Sequence, residues 1–188
     1  MKTLPKEIQP IFDFEKGQDS ASYEERVGPP TELHATIGRV TMKFQYLEDR
    51  LSEKIIEMIG LDFEIGEIIT CELSFKNKVN LFSSLLHKLK ETHSFNFYPG
   101  YEEIHMRELI KALFKCGELR NQILHSNIVE NYRTKQIVRT KTTSKAKKGL
   151  TKIHEAVDIP YLFNVADYIG GIEYELREFF IEFKKNTT

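Results

Sequence analysis

Between Thr31 and Gly60 the chain repeats apolar side chains at Leu33, Ile37, Val40, Phe44, Leu47, Leu51, Ile55 and Met58, in steps of four and three. That period lines them along one face of a helix, and a stripe this long is stable only against other helices. Gly28-Pro29-Pro30 before it and Gly60 after it are start and stop signals, so the spacing predicts a helix over 31–59, about 44 Å long. A second stripe, Phe75, Val79, Phe82, Leu86 and Leu89, follows Ser74, a suitable N-cap. A third, Ile110, Leu113, Phe114, Leu124 and Ile128, predicts a central helix over 102–128 with Gly117 and Asn121 on the same face. The fourth, Leu162, Val165, Ile169, Ile172, Leu176, Phe179 and Phe183, opens after Asp158 and Pro160. Four long amphipathic helices predict an all-α fold, an up-and-down bundle.

The other segments read differently. Residues 1–30 hold four of the six prolines and a polar run from Glu15 to Arg26. They predict an extended or mobile arm ahead of a helical domain over 31–188. Residues 61–73 suit a short irregular buried connection. Residues 92–101, with Phe95, Phe97 and Tyr98, form an aromatic loop that packs over the bundle end or stacks on bases. Gly170-Gly171, inside the last stripe, implies a kink or the close approach of another helix. Between Arg133 and Lys152 the basic residues are Arg133, Lys135, Arg139, Lys141, Lys145, Lys147, Lys148 and Lys152, with no acid among them. Alternation there predicts a short β-hairpin or a basic loop inserted in the helical fold.

The chain is 188 residues long and 40% hydrophobic, enough for one sizeable core. A formal net charge of -1 excludes a generally basic nucleic-acid coat and leaves the Arg133–Lys152 segment as the local patch for phosphates. Cys71 and Cys116 form no paired motif, so both are expected as small buried side chains rather than a disulfide or thiolate metal site. His87 and Glu91 are four apart but lack a third ligand, so no metal and no cofactor is expected. No apolar run of signal-peptide or membrane-spanning length occurs, and a soluble cytoplasmic protein is expected.

Chemistry concentrates in Arg120, Asn121 and His125. A guanidinium is always charged and matches phosphate oxygens, and an imidazole moves a proton near neutral pH. The pair suits phosphodiester cleavage: His125 as base on a ribose 2′-hydroxyl or acid on the leaving oxygen, Arg120 on the developing charge, Asn121 orienting either. Lys78 and the other lysines of the second helix read as solubilising, while Glu48 and Asp49 are candidates to orient Arg120 or His125 from across the bundle. On an ideal helix Arg120 and His125 point roughly 140° apart, so a two-fold dimer along this face is the expected way to bring one subunit's arginine to the other's histidine. The competing reading is packing, with Arg120 paired to Glu118 and Asn121 satisfying His125 inside the bundle.

Arg120-Asn121-x-x-x-His125 resembles the RNxxxH signature of the HEPN superfamily, over about residues 31–184. The resemblance implies an all-helical, usually homodimeric domain and a metal-independent endoribonuclease of toxin–antitoxin, phage-defence or RNA-processing type, with an antitoxin or defence partner. By it Arg120, Asn121 and His125 take the catalytic roles, RNA is the substrate and DNA is not. Relatives silenced by nucleotidyl transfer carry a tyrosine two places past the histidine, where this chain has Asn127. The alternative is a catalytically inactive HEPN-like dimer serving as an RNA-binding or protein-interaction module.

Overall fold

In the computed structural model of the chain, residues 32–92, 101–130, 134, 136–145 and 149–185 are described. The chain divides into a unit Met1–Ala35, described only over the first turn of a helix, and a unit Thr36–Thr188 that holds the other elements. Among the described residues the fold is mostly helical: α1 (Glu32–Ile59), α2 (Phe63–Cys71), α3 (Phe75–Thr92), α4 (Tyr101–Leu124) and α5 (Ile159–Lys185). Three strands, β1 (Asn127–Glu130), β2 (Ile137–Lys145) and β3 (Gly149–Val157), lie between α4 and α5. None of these helices is long and apolar enough to cross a membrane. The aromatic residues Phe95, Phe97 and Tyr98 lie outside the described residues.

Most of the predicted stripes of α1, α3 and α5 are buried, while Ile37, Met58, Phe75, Leu89 and Ile172 are half-buried and the side chain of Phe183 lies outside the described residues. Val40, Phe44, Leu47, Leu51 and Ile55 of α1, Val79, Phe82 and Leu86 of α3, and Leu162, Val165, Ile169, Leu176 and Phe179 of α5 are all core. Each such side chain contributes about 1.5–3 kcal/mol on burial. Ring contacts mark where helices meet: Phe44 of α1 with Phe75 of α3 (4.6 Å between centroids), Phe82 of α3 with Phe180 of α5 (5.9 Å), and His105 of α4 stacked on Phe179 of α5 (6.0 Å). The caps also follow the sequence. Gly60, at φ +70°, closes α1 by donating to the Ile56 carbonyl at 3.1 Å, Ser74 Oγ accepts from the Asn77 N–H at 3.3 Å, and Asp158 Oδ1 accepts from the Tyr161 N–H at 2.7 Å.

The central helix departs from expectation twice. Its buried residues are Met106, Leu109, Leu113, Cys116 and Ile123, spaced as an a/d heptad whose remaining position is 120, so the inward residue is Arg120, while Asn121 is exposed. Ile110, Phe114 and Leu124 flank that seam and are only half-buried. The helix also stops at Leu124 rather than 128. His125 still donates its N–H to the Asn121 carbonyl at 3.1 Å, and Ser126 Oγ caps the Gln122 carbonyl at 2.5 Å. Asn127, Ile128 and Val129 then enter β1, where β-branched side chains fit better than in a helix.

Residues 61–73 are not irregular. Asp62 caps a nine-residue helix, accepting from the Glu64 N–H at 3.0 Å. Gly66 is its point of close approach, and Phe63 (55% exposed), Ile65 (52%) and Ile68 (68%) face outward rather than into the core. Cys71 is exposed, contrary to expectation, and Cys116 is buried. Burial pushes the Cys116 thiol up from 9.0 to about 12. In α5 the close approach is to Gly170, over which the Lys43 side chain lies, while Gly171 faces open space.

The basic segment forms a hairpin longer than a loop insertion and recruits a third strand, in the order β1-β2-β3, all antiparallel. β1 covers β2 only from Ile137 to Thr140, which pairs with Asn127. Lys141–Lys145, paired with Gly149–Ile153 of β3, therefore overhang the His125 end of β1 by about 16 Å at strand rise.

Two measurements check this packing. A Cβ on Gly66 would sit 2.6 Å from Ile56 Cγ1, so Gly66→Ala destabilises the protein although alanine is the better helix former, whereas Gly171→Ala stabilises it by about 0.5–1 kcal/mol in denaturant unfolding. Iodoacetamide at pH of about 8.5, the ordinary thiol pKa, alkylates Cys71 alone in the native protein and both thiols in denaturant, as read by mass spectrometry.

Candidate active site

Arg120 reaches the site from a position where its heptad would hold an apolar side chain, so its stem is half-buried and only its fork is free to act. The guanidinium carbon lies 5.3 Å from the centre of the Phe44 ring, a cation–π contact worth about 0.5–2 kcal/mol. Nη1 donates to Asn121 Oδ1 at 3.0 Å and meets His125 Nε2 at 3.2 Å. Among the described residues the buried side-chain nitrogens without a hydrogen-bond partner are Arg120 Nε and Arg139 Nη1.

The three residues thus converge within one chain, which corrects the expectation that a single helix splays Arg120 and His125 apart. That geometry assumed a helix through 128. With α4 ending at Leu124, His125 lies in the turn beyond it and its ring comes back to the arginine. Arginine only donates, so this contact needs the neutral imidazole with Nδ1 protonated and Nε2 as acceptor. Nε2 is therefore the nitrogen held ready to take a proton once the guanidinium moves to a better acceptor.

The packing alternative pairs Arg120 with Glu118, but the Glu118 carboxylate meets Lys115 Nζ at 3.3 Å. Nor do the two α1 acids, Glu48 and Asp49, orient the site. Asp49 accepts from Gln45 Nε2 at 2.8 Å, and Glu48 Oε1 accepts from Lys78 Nζ at 2.9 Å. Lys78, expected to be a solvated charge, is buried, because Glu48 compensates it. His87 and Glu91 do not meet: Glu91 pairs with Lys88 at 3.2 Å.

Glu48 nevertheless lines a cavity of about 620 Å³ that opens beside Arg120 and Asn121. Phe44, Phe75 and Phe114 form its apolar walls, and Ser74, Lys76 and Glu118 add polar groups. All three phenylalanines belong to the apolar stripes read from the sequence. Gly117 is the sequence signal of the cavity, since a Cβ there would stand 3.0 Å from Phe75 Cδ1, where one edge of the ring packs against α4.

Of the residues predicted to bind RNA, Arg139 pairs with Glu155 across β2 and β3 and is largely buried, so it is not a free phosphate contact. Lys141 is exposed on the overhanging stretch, as is Lys152 of β3. Arg133, Lys135, Lys147 and Lys148 lie outside the described residues, as does the side chain of Lys145. No family model matches the chain, and neither does a curated protein or a solved structure.

The Lys78–Glu48 pair underlies the cavity wall, and removing one partner strands the other charge. Lys78→Met is expected to cost about 3 kcal/mol in denaturant unfolding, and Lys78→Met with Glu48→Gln to recover most of it. Equal stability of the single and double variants would refute the coupling.

Proposed function

We propose that the chain is a metal-independent endoribonuclease of HEPN type, its helices forming an up-and-down bundle and two copies pairing along α4, acting in the cytoplasm with an antitoxin or defence partner. The observation that carries the reading is Arg120 Nη1 in contact with both Asn121 and His125 in the same chain. A phosphate oxygen of RNA is a stronger acceptor for the guanidinium than a neutral imidazole, because both partners are charged. As Arg120 turns to the phosphate, with Asn121 alongside, His125 Nε2 is released. It takes the proton of the neighbouring ribose 2′-hydroxyl, whose oxygen bonds to phosphorus while the bond to the 5′-oxygen breaks. The leaving oxygen takes a proton from solvent, giving a 2′,3′-cyclic phosphate and a 5′-hydroxyl. Arg120 stabilises the charge that develops on the non-bridging oxygens. The overhanging hairpin supports the reading by extending Lys141 from the His125 end of β1, where it meets flanking phosphates without reading sequence.

A second reading, a non-catalytic interaction module, is favoured by α2, where Phe63, Ile65 and Ile68 expose an apolar face suited to a protein partner.

Incubation of the purified protein with labelled single-stranded RNA in EDTA distinguishes them. Cleavage with cyclic-phosphate ends is expected, reduced about 10²–10⁴-fold by His125→Ala and about 10²–10³-fold by Arg120→Lys, which keeps the charge but loses the fork. DNA of the same sequence stays intact for want of a 2′-hydroxyl. Intact RNA across several sequences would move the assignment to the interaction module, whereas equal cutting of DNA would refute attack by the 2′-hydroxyl.

A further inference from the structure

The cavity beside Arg120 has room and aromatic surface for more than a phosphate. Its volume of about 620 Å³ falls among ligand pockets, which span about 300–1,000 Å³. Phe75 and Phe114 are half-buried at its wall, so each keeps ring surface toward the opening. Phe75 packs on Phe44, with ring centroids 4.6 Å apart and the planes tilted, and one edge of its ring closes on Gly117, which fixes its place in the wall. The polar lining sets the cations Lys76 and Arg120 beside four acceptors, the carboxylates of Glu48 and Glu118 and the side-chain oxygens of Ser74 and Asn121. Glu48 uses Oε1 on Lys78, leaving Oε2 without a partner among the described residues. Each carboxylate is held by a lysine, Glu48 by Lys78 and Glu118 by Lys115, and its remaining oxygen can accept an N–H group from a heterocycle.

The geometry points to a nucleobase subsite: one base of the substrate stacks on Phe75 and Phe114 while its phosphate stays on Arg120, which with Asn121 is shared by cavity and catalytic cluster. This assignment rests on the endoribonuclease reading for the position of the phosphate. An aromatic platform accepts any base, so selectivity comes from the edge. Adenine, cytosine and guanine present an exocyclic amino group to Glu48 or Glu118, as glutamate accepts from cytosine N4 in DNA grooves, and uracil has none. A base bearing an amino group is therefore preferred over uracil.

Mononucleotide binding tests the subsite without requiring turnover. Equilibrium dialysis of the full chain carrying His125→Ala, against adenosine 3′-phosphate, uridine 3′-phosphate and ribose 5-phosphate, is expected to give adenosine 3′-phosphate about tenfold tighter binding than the base-free sugar phosphate, with uridine between them. Phe75→Ala removes the platform, and Gly117→Leu fills the cavity from its floor. Each should bring adenosine 3′-phosphate to the level of ribose 5-phosphate, with circular dichroism confirming that the variant compared is folded. Equal affinity for the nucleotide and the sugar phosphate, no nucleotide binding at about 10 mM, or base-dependent binding indifferent to the folded substitution would overturn the subsite. Base-dependent binding by a wild-type protein that cuts no RNA would uphold the subsite and refute the ribonuclease, whereas RNA cleavage without base-dependent binding would do the reverse.

Discussion

A guanidinium stands where the heptad of α4 leaves room for a hydrocarbon. Met106, Leu109, Leu113 and Cys116 run into Arg120, and Ile123 resumes the seam one step later. Burying part of a permanent charge is tolerated because Phe44 offers the face of its ring and because Nη1 finds Asn121 and His125. The contacts that make the arginine tolerable also hold the histidine on its acceptor nitrogen. Architecture and candidate chemistry thus meet in one side chain, and Phe44, a core residue of α1, supports both.

The outer helices were legible because their stripes are redundant. In α1 every step of three or four lands on an apolar residue, so the expected start at Thr31 and the observed start at Glu32 hardly differ. The seam of α4 was harder to read, since Ile110, Leu113 and Phe114 form a plausible face rotated from the true one. Only packing shows that Met106, Leu109 and Cys116 win, and that the amide was never the inward group. The three-residue signature itself was plain in the sequence, but its geometry was not. Whether Arg120 meets His125 depends on where α4 ends, and helix ends are set by capping contacts such as Ser126 on the Gln122 carbonyl rather than by periodicity. Lys78 and α2 failed for related reasons, since a buried lysine needs its acid from another helix, and α2 is apolar without being buried.

Under the proposed function two kinds of selectivity would be separated in space. Arg120 and His125 would meet phosphate and ribose without regard to sequence, as would the hairpin lysines beyond them. Discrimination between bases would fall to the cavity, where the missing Cβ of Gly117 lets the Phe75 ring close on α4. That division would let the chemistry stay fixed while the walls vary.

The overhanging hairpin has a second consequence. Among the described residues no strand neighbours the outer side of β2 from Lys141 to Lys145, and β3 is an edge along its length, so the backbone there presents donors and acceptors to a passing strand. Lysines along such an edge are natural guards against strand-to-strand association. Lys141 and Lys152, exposed on this stretch, would therefore also keep copies of the protein from zipping together at their sheets, and neutralising them would cost solubility whatever they bind.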